Sequence, residues 1–243
     1  MKKTTTILCL GIALCMLGCS DDDDQVTTTS TVPFSLTASL SPRSSDAEDT
    51  GILQGNWDAN SQLAVIKTGS SGVPKSILTR KTDSSDTFTG NLSTLVKNEN
   101  EIAVFYPAAA ITANSSDTLT QTLNLSGQDG TLAGITNYDY LWAQCKAGMN
   151  ETTGSSACEM TSLVTIGKFQ FTVNGGSPLN NITRITITAT AGTLYSSVVM
   201  KLKNGEFSST QTGNITIKNK AGISGTTYIS VFPCAAQVQC RLV

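Results

Sequence analysis

Phe34-Ser35-Leu36-Thr37-Ala38-Ser39-Leu40 alternates apolar and polar side chains without a break. In an extended chain Phe34, Leu36, Ala38 and Leu40 lie on one face, and small hydroxyl side chains lie on the other. This period of two residues predicts a β-strand with one buried face. The next proline, Pro42, has no N–H for a neighbouring strand, so the strand is expected to end before it.

Similar short apolar stretches recur along the chain and are separated by turn-forming clusters of Gly, Asn, Ser and Pro. They predict further strands at residues 63–66, 101–106, 119–125, 169–173, 183–189, 194–202, 213–217 and 227–232. Short strands at nearly even spacing are typical of β-sandwiches. The predicted fold class is therefore all-β, with an N-terminal sandwich domain over residues 33–160 and a C-terminal one over residues 161–243.

The composition argues against several functions. The chain has no histidine, so a Ser-His-Asp or Cys-His nucleophile cannot form, and neither a zinc site nor any other metal or cofactor is expected. A net charge of −2 without a basic patch predicts no nucleic-acid partner. The acidic residues near the strand ends, Asp83, Asp86, Glu99 and Glu101, are interpreted as solvated carboxylates rather than a glycosidase pair. Trp57 is expected in the core, and no enzyme activity is predicted.

The first residues have the pattern of an export signal. Lys2 and Lys3 precede an apolar run at residues 7–17, which is too short to span a membrane. Residues 1–18 are predicted to be a signal peptide, and residues 19–32 an acidic, threonine-rich tether. Leu17-Gly18-Cys19 resembles a lipobox, which implies acylation of Cys19. An ordinary secretory signal with a chance cysteine is the alternative.

Four cysteines remain beyond Cys19, namely Cys145, Cys158, Cys234 and Cys240. An even number in an exported chain permits disulfides, and four cysteines allow three pairings. Proximity in sequence favours Cys145–Cys158 and Cys234–Cys240. Free buried thiols are an equal alternative.

The order of these features resembles the fimbrillin family, the pilin-like and tip lipoproteins of Bacteroides-type bacteria. Each motif is weak alone, and their succession over most of residues 17–232 makes the case. The motifs are the lipobox followed by Asp21, Asp22, Asp23 and Asp24, a first strand followed by Arg43, Trp57-Asp58 before an apolar strand, Ala103-Val104-Phe105-Tyr106-Pro107, Tyr138-Asp139-Tyr140-Leu141, and the Phe169 and Phe171 strand.

The resemblance implies a fold and an assembly route. Family members have two transthyretin-like β-sandwich domains in tandem, and an acidic run such as Asp21 to Asp24 directs export to the outer face of the outer membrane. A trypsin-like protease removes the first strand by cutting after an arginine, here Arg43. The vacated groove then accepts a strand from another subunit. The implied protein is a lipid-anchored surface subunit, tip or anchor of a pilus, with other fimbrial subunits as partners.

Two alternatives stay open at this point. The strand Phe34 to Leu40 could be a permanent first strand, with Arg43 a solvated loop charge. The protein could also be a monomeric glycan-binding or substrate-capture lipoprotein of the outer membrane. In addition, the family usually continues beyond the strand that corresponds to Tyr228–Pro233, whereas this chain ends at Val243. A truncated second domain is therefore expected.

Overall fold

The computed structural model describes residues 30–41, 51–69, 72–82, 86–112, 120–173, 176–223, 225–234 and 236–243. The predicted signal peptide, Cys19, Asp21 to Asp24 and Arg43 lie outside these residues. Within the described part, none of the helices is long and apolar enough to cross a membrane.

The described residues are nearly all in strands and turns, which confirms the all-β prediction. The first nine strands are β1 Thr31–Leu40, β2 Gln62–Lys67, β3 Ser76–Arg80, β4 Thr87–Ser93, β5 Glu101–Tyr106, β6 Thr120–Asn124, β7 Leu141–Lys146, β8 Gly148–Met149 and β9 Gly154–Ser162. The others are β10 Thr165–Gln170, β11 Ile182–Gly192, β12 Tyr195–Lys201, β13 Phe207–Thr212, β14 Ile215–Ile223, β15 Thr226–Val231 and β16 Ala236–Leu242. The helical segments are α1 Leu132–Ile135 and short 3-10 turns at Gly51–Gln54, Ala108–Ala110 and Thr136–Tyr138.

Eight strands form one sheet that closes on itself. Their order is β1-β4-β3-β2-β5-β7-β9-β8, and β1 pairs in addition with β9. All these pairings are antiparallel except β1 with β9, which is parallel. The enclosed core contains Phe34, Leu36, Trp57, Leu63, Val65, Leu78, Phe88, Leu92, Ile102 and Val104. The first strand therefore closes the sheet around this core.

The remaining strands form three small sheets around a second core. These sheets are β10-β15, β14-β11-β16 and β13-β12-β6. Because β6 pairs with β12, from Thr120 opposite Lys201 to Asn124 opposite Ser197, the two halves of the chain share a sheet. The division into domains at residue 160 and the tandem transthyretin-like arrangement stay predictions.

The two cores lie on opposite faces of the same central strands. In β2, Leu63 and Val65 point into the core of the closed sheet, whereas Ala64 and Ile66 pack in the second core. Phe105 of β5 also packs in the second core. This explains why both strands read as continuous apolar runs, and it confirms the prediction that β5 is a central strand, paired with β2 and β7.

Candidate strand-exchange site

The first strand lies between β4 and β9 and is hydrogen-bonded to both. Its pairing with β4 is antiparallel over Thr31–Thr37, and its pairing with β9 is parallel over Phe34–Leu40. Among the described strands, residues 31–33 pair only with β4, and residues 38–40 pair as ladder partners only with β9. The strand predicted at residues 34–40 is present, and both of its ends have one neighbouring strand.

The inner face of β1 is apolar and almost fully buried. Val32, Phe34, Leu36 and Ala38 are 9%, 2%, 0% and 0% exposed, and Leu40 is half-buried. Burial of a Val, Leu or Phe side chain contributes roughly 1.5–3 kcal/mol, so this face contributes about 6 kcal/mol. The predicted alternation is confirmed. Without β1, the slot between β4 and β9 would be an apolar groove.

The slot has a pocket shaped for Phe34. In register, Phe34 lies opposite Gly90 of β4 and opposite Gly154 of β9. A Cβ atom on Gly154 would lie 2.6 Å from Phe34 Cδ2 and would also clash with the Met149 sulfur. The missing side chain of Gly154 therefore leaves room for the aromatic ring.

Gly154→Val is expected to lower the free energy of unfolding by about 2 kcal/mol, because overpacking a filled core costs roughly 1–3 kcal/mol. Urea denaturation measures the change. Ser155→Val, on the exposed face of the same strand, is the matched control and should have little effect. In the double variant Phe34→Ala/Gly154→Val, the two costs should be less than additive, because the ring that clashes is gone. A Gly154→Val protein as stable as Ser155→Val would contradict this account.

Pro33 occupies a position in β1 where a missing N–H costs nothing. Thr94 N–H donates to Ser30 O, and Ala38 N–H donates to Asp86 O, both within 3 Å. The backbone N–H and C=O groups of even-numbered residues in β1 thus point toward β4, and those of odd-numbered residues point toward β9. The parallel pairing with β9 begins one residue after Pro33. The proline therefore interrupts no ladder hydrogen bond, which is the placement that strands tolerate.

Trp57 holds the far end of β1. Its Nε1 donates to Ala38 O at 2.7 Å, and its side chain is 2% exposed. The indole packs edge-on against Phe88 and Tyr106, with ring centroids 4.9 and 5.3 Å away. The expectation that Trp57 lies in the core is confirmed. This hydrogen bond satisfies the carbonyl of Ala38, which lies one residue beyond the β1–β4 ladder.

The polar face of β1 makes only light contacts at the surface. Ser39 Oγ donates to Cys158 O at 3.3 Å, and Ser41 Oγ donates to a carboxylate oxygen of Glu159 at 3.2 Å. These hydrogen bonds are exposed and contribute little. The predicted cleavage residue, Arg43, follows two positions later and lies outside the described residues.

Two features of this site were not apparent in the sequence. Val32 belongs to the buried face, although Pro33 obscured the alternation before Phe34. Gly154 makes room for Phe34, but the polar sequence around it did not indicate a strand, so no local signal pointed to this close approach.

The other candidate residues lie apart from the slot or beside it. Cys145 and Cys158 are half-buried on β7 and β9 and pack against the enclosed core, and both are thiols in this structure. Glu99 binds Lys146 at 3.1 Å on the surface, and Asp83 lies outside the described residues. No three His, Cys, Asp or Glu side chains of the described part are close enough together to hold a metal ion.

No protein-family model matches this sequence, and no curated protein matches it. Solved structures do resemble the fold. One is described as "a putative cell adhesion protein from Bacteroides ovatus", with a TM-score of 0.55, 15% identity, and coverage of 88% of this chain and 86% of that one. Another is described as "a putative cell adhesion protein from Bacteroides uniformis", with a TM-score of 0.54, 15% identity, and coverage of 87% and 80%. At this identity the likeness shows a shared fold.

A third structure, of a fimbrial assembly protein from Parabacteroides distasonis, overlaps less well. Its TM-score is 0.39 at 11% identity, although 88% of this chain and 86% of that one are covered. An overlap at this level does not define a common fold. The class that the fold and the slot define is thus an all-β protein with a closed sheet completed by its own first strand.

Proposed function

We propose that this protein is a surface lipoprotein that serves as a structural or adhesive subunit, tip or anchor of a pilus, assembled by exchange of its first strand. The observation that carries the proposal is β1 itself. It is an amphipathic strand at the start of the described chain, and it fills an apolar slot between two strands that would otherwise be edges. The similar folds of two proteins described as adhesion proteins support the class.

Loss of β1 would leave two defects that one incoming strand repairs. The edges of β4 and β9 would each present unpaired N–H and C=O groups, and the slot would expose the side chains that β1 covers. A strand from a second subunit would restore both ladders and fill the groove, which is the physics of β-strand addition. Because donor and acceptor surfaces differ, such contacts are heterologous and extend into a fibre.

The finer parts of the proposal follow from the family resemblance. They are membership of the fimbrillin family, two tandem transthyretin-like domains, a lipid on Cys19, and export to the outer membrane through Asp21 to Asp24. Other fimbrial subunits are the proposed partners. The proposed role is mechanical and adhesive, without enzyme activity or a cofactor.

Mild trypsin digestion of the purified mature protein is expected to cut first after Arg43 and to convert monomers into oligomers. The expectation rests on the serine-rich sequence around Arg43, which is typical of a loop that proteases cut, and β1 can leave its slot only after that cut. N-terminal sequencing locates the cut, and size-exclusion chromatography measures assembly.

The variant Arg43→Gln is the matched control and should stay monomeric under the same digestion. A cut after Arg43 that leaves a stable monomer would contradict strand exchange. It would indicate a permanent first strand and favour the anchor role.

A monomeric glycan-binding role is the second candidate, and one observation favours it. Phe169 is 41% exposed and stacks on Phe171, with ring centroids 6.4 Å apart and planes 12° apart. Flat aromatic faces at a surface suit sugar rings. Titration of the intact protein with candidate glycans, with Phe169→Ala as the comparison, separates the two roles, because strand exchange does not depend on that side chain.

A further inference from the structure

Cys145 of β7 and Cys158 of β9 face each other across two paired strands. The β7–β9 pairing places Trp142 opposite Thr161, and the β8–β9 pairing places Gly148 opposite Ser155 in the same register. Extending this register along the strands from either pairing places Cys145 opposite Cys158. Both side chains point toward the core that the sheet encloses.

The backbone hydrogen bonds define the kind of pair that the two cysteines form. Leu163 N–H donates to Tyr140 O at 2.8 Å on one side, and Asn150 N–H donates to Thr153 O at 2.9 Å on the other. In both strands, these hydrogen-bonded residues lie five positions from the cysteines. Hydrogen-bonded and non-hydrogen-bonded pairs alternate along an antiparallel ladder. In this register the cysteines occupy a non-hydrogen-bonded position, where the side chains of paired strands are closest and Cα atoms are typically about 4.5 Å apart. Disulfides span Cα separations of roughly 4.4–6.8 Å, a range that includes this typical spacing.

Each of the two sulfur atoms has a polar or sulfur-containing neighbour. The Cys158 thiol is close enough to Cys145 to lower its pKa. Ser156 Oγ lies 3.3 Å from Cys145 Sγ, and Cys158 Sγ lies 3.9 Å from the Met160 sulfur. The shared register and the shared face of the sheet together place the two thiols beside each other.

We propose that Cys145 and Cys158 close into a cross-strand disulfide that ties β7 to β9. The Cys145 thiolate attacks the disulfide of an external oxidant of the thiol–disulfide class, and one oxidant sulfur leaves as a thiol. The Cys158 sulfur then attacks Cys145 in the mixed disulfide and releases the second oxidant thiol. The two cysteines lose two protons and two electrons, and the oxidant disulfide takes up both and becomes two thiols.

The surroundings of Cys145 favour its role as the attacking group. The hydrogen bond from the Cys158 thiol lowers the pKa of Cys145 to about 7, burial opposes this effect, and the hydrogen bond from Ser156 Oγ adds to it. The same thiol–thiol contact and burial raise the pKa of Cys158. Because the thiolate is the nucleophile, Cys145 reacts at neutral pH.

The bond would reinforce one wall of the β1 slot. Cys158 is the parallel partner of Ala38 in β1, and Cys145 is the partner of Ile102 in the central strand β5. A disulfide here would hold β9 in place beside β5 and β7 when β1 is absent. This consequence rests on the proposed strand exchange, whereas formation of the disulfide does not.

The chain sequence allows a direct chemical test. Trypsin cuts after Lys146 and separates the two cysteines into peptides 98–146 and 147–168. The full-length protein is incubated with oxidised glutathione, and its free thiols are then blocked with N-ethylmaleimide under denaturing conditions. The protein is digested with trypsin, and the peptide masses are measured by mass spectrometry. We expect the two peptides to be linked, and to separate on reduction. The variant Cys158→Ser should give no linked pair, and Ser156→Ala should form the link more slowly at pH 7.

A stability measurement gives a second readout. Reduction should lower the Tm of the oxidised wild-type protein by about 5–10 °C, and should not change the Tm of Cys145→Ser/Cys158→Ser. Cys234→Ser/Cys240→Ser removes the two exposed thiols and should behave as wild type. Full N-ethylmaleimide labelling of Cys145 and Cys158 after oxidation, or linkage of either to Cys234 or Cys240 alone, would overturn the proposal. Peptide mapping of the wild-type protein decides the matter even if a variant fails to fold.

Discussion

A chain that begins at Ser44, and therefore lacks β1, is expected to lose its stable monomeric state and to regain it when a peptide of residues 30–41 is added. The buried face of β1 contributes about 6 kcal/mol, and whole domains are stable by only about 5–15 kcal/mol. The truncated chain also exposes two strand edges, which associate with other chains. Without the peptide we therefore expect oligomers and a lower urea midpoint.

A peptide with Leu36→Asp is the matched control for this experiment. Leu36 is 0% exposed, so the carboxylate would enter the enclosed core without a partner, and this peptide should not rescue the monomer. Size-exclusion chromatography and urea unfolding measure both the rescue and its absence. A chain from Ser44 that remains monomeric and as stable as the full chain would show that β1 contributes nothing to closure of the sheet. Strand exchange would then have no driving force.

Trp57→Ala is expected to lower the free energy of unfolding by about 4 kcal/mol and to speed the release of β1. The substitution removes a buried ring that contacts Phe88 and Tyr106, and aromatic-to-alanine changes in cores cost roughly 3–5 kcal/mol. It also leaves Ala38 O without its indole donor. Trp57→Phe keeps an aromatic ring but loses the donor and part of the buried ring volume, so it should cost less than Trp57→Ala, about 1–3 kcal/mol.

The other tryptophan provides a control for the effect on β1. Trp142 Nε1 also donates to a backbone carbonyl, that of Leu202, at 2.9 Å, and its ring packs against the second core. Trp142→Ala should therefore destabilise the protein without changing the release of β1. The rate at which a labelled peptide of residues 30–41 replaces β1 measures that release. Equal exchange rates in the Trp57→Ala and Trp142→Ala proteins would refute a specific role for Trp57.

Local patterns in the sequence were sufficient for some of the strands and their buried faces, whereas β3, β9, β13 and β16 were not predicted. The alternation from Phe34 to Leu40 predicted β1, and the continuous apolar run in β5 predicted a strand buried on both faces. Each of these signals comes from residues that are adjacent along the chain, so no knowledge of the partner strands was needed. Trp57 was assigned to the core on the same local grounds.

The partners of those strands could not be read in the same way. The contact of β1 with β9 joins residues more than a hundred positions apart, as Ser41 and Glu159 show. The placement of β6 beside β12 also joins distant parts of the chain, with Thr120 opposite Lys201. Proximity in sequence suggested the pair Cys145 and Cys158, but their facing positions depend on the register of β7, β8 and β9.

By itself, the sequence determined that this protein is built from half-buried strands, because successive side chains of an extended chain point to opposite faces. For strands with a clear alternation, such as Phe34 to Leu40, it also determined which side chains belong to the apolar face. Only the tertiary structure decided that β1 closes a sheet between β4 and β9, that Gly154 lies against Phe34, and that the two cysteines meet. The physical reason is that backbone N–H and C=O groups are alike in every strand, so neighbours and register are chosen by packing of the whole core.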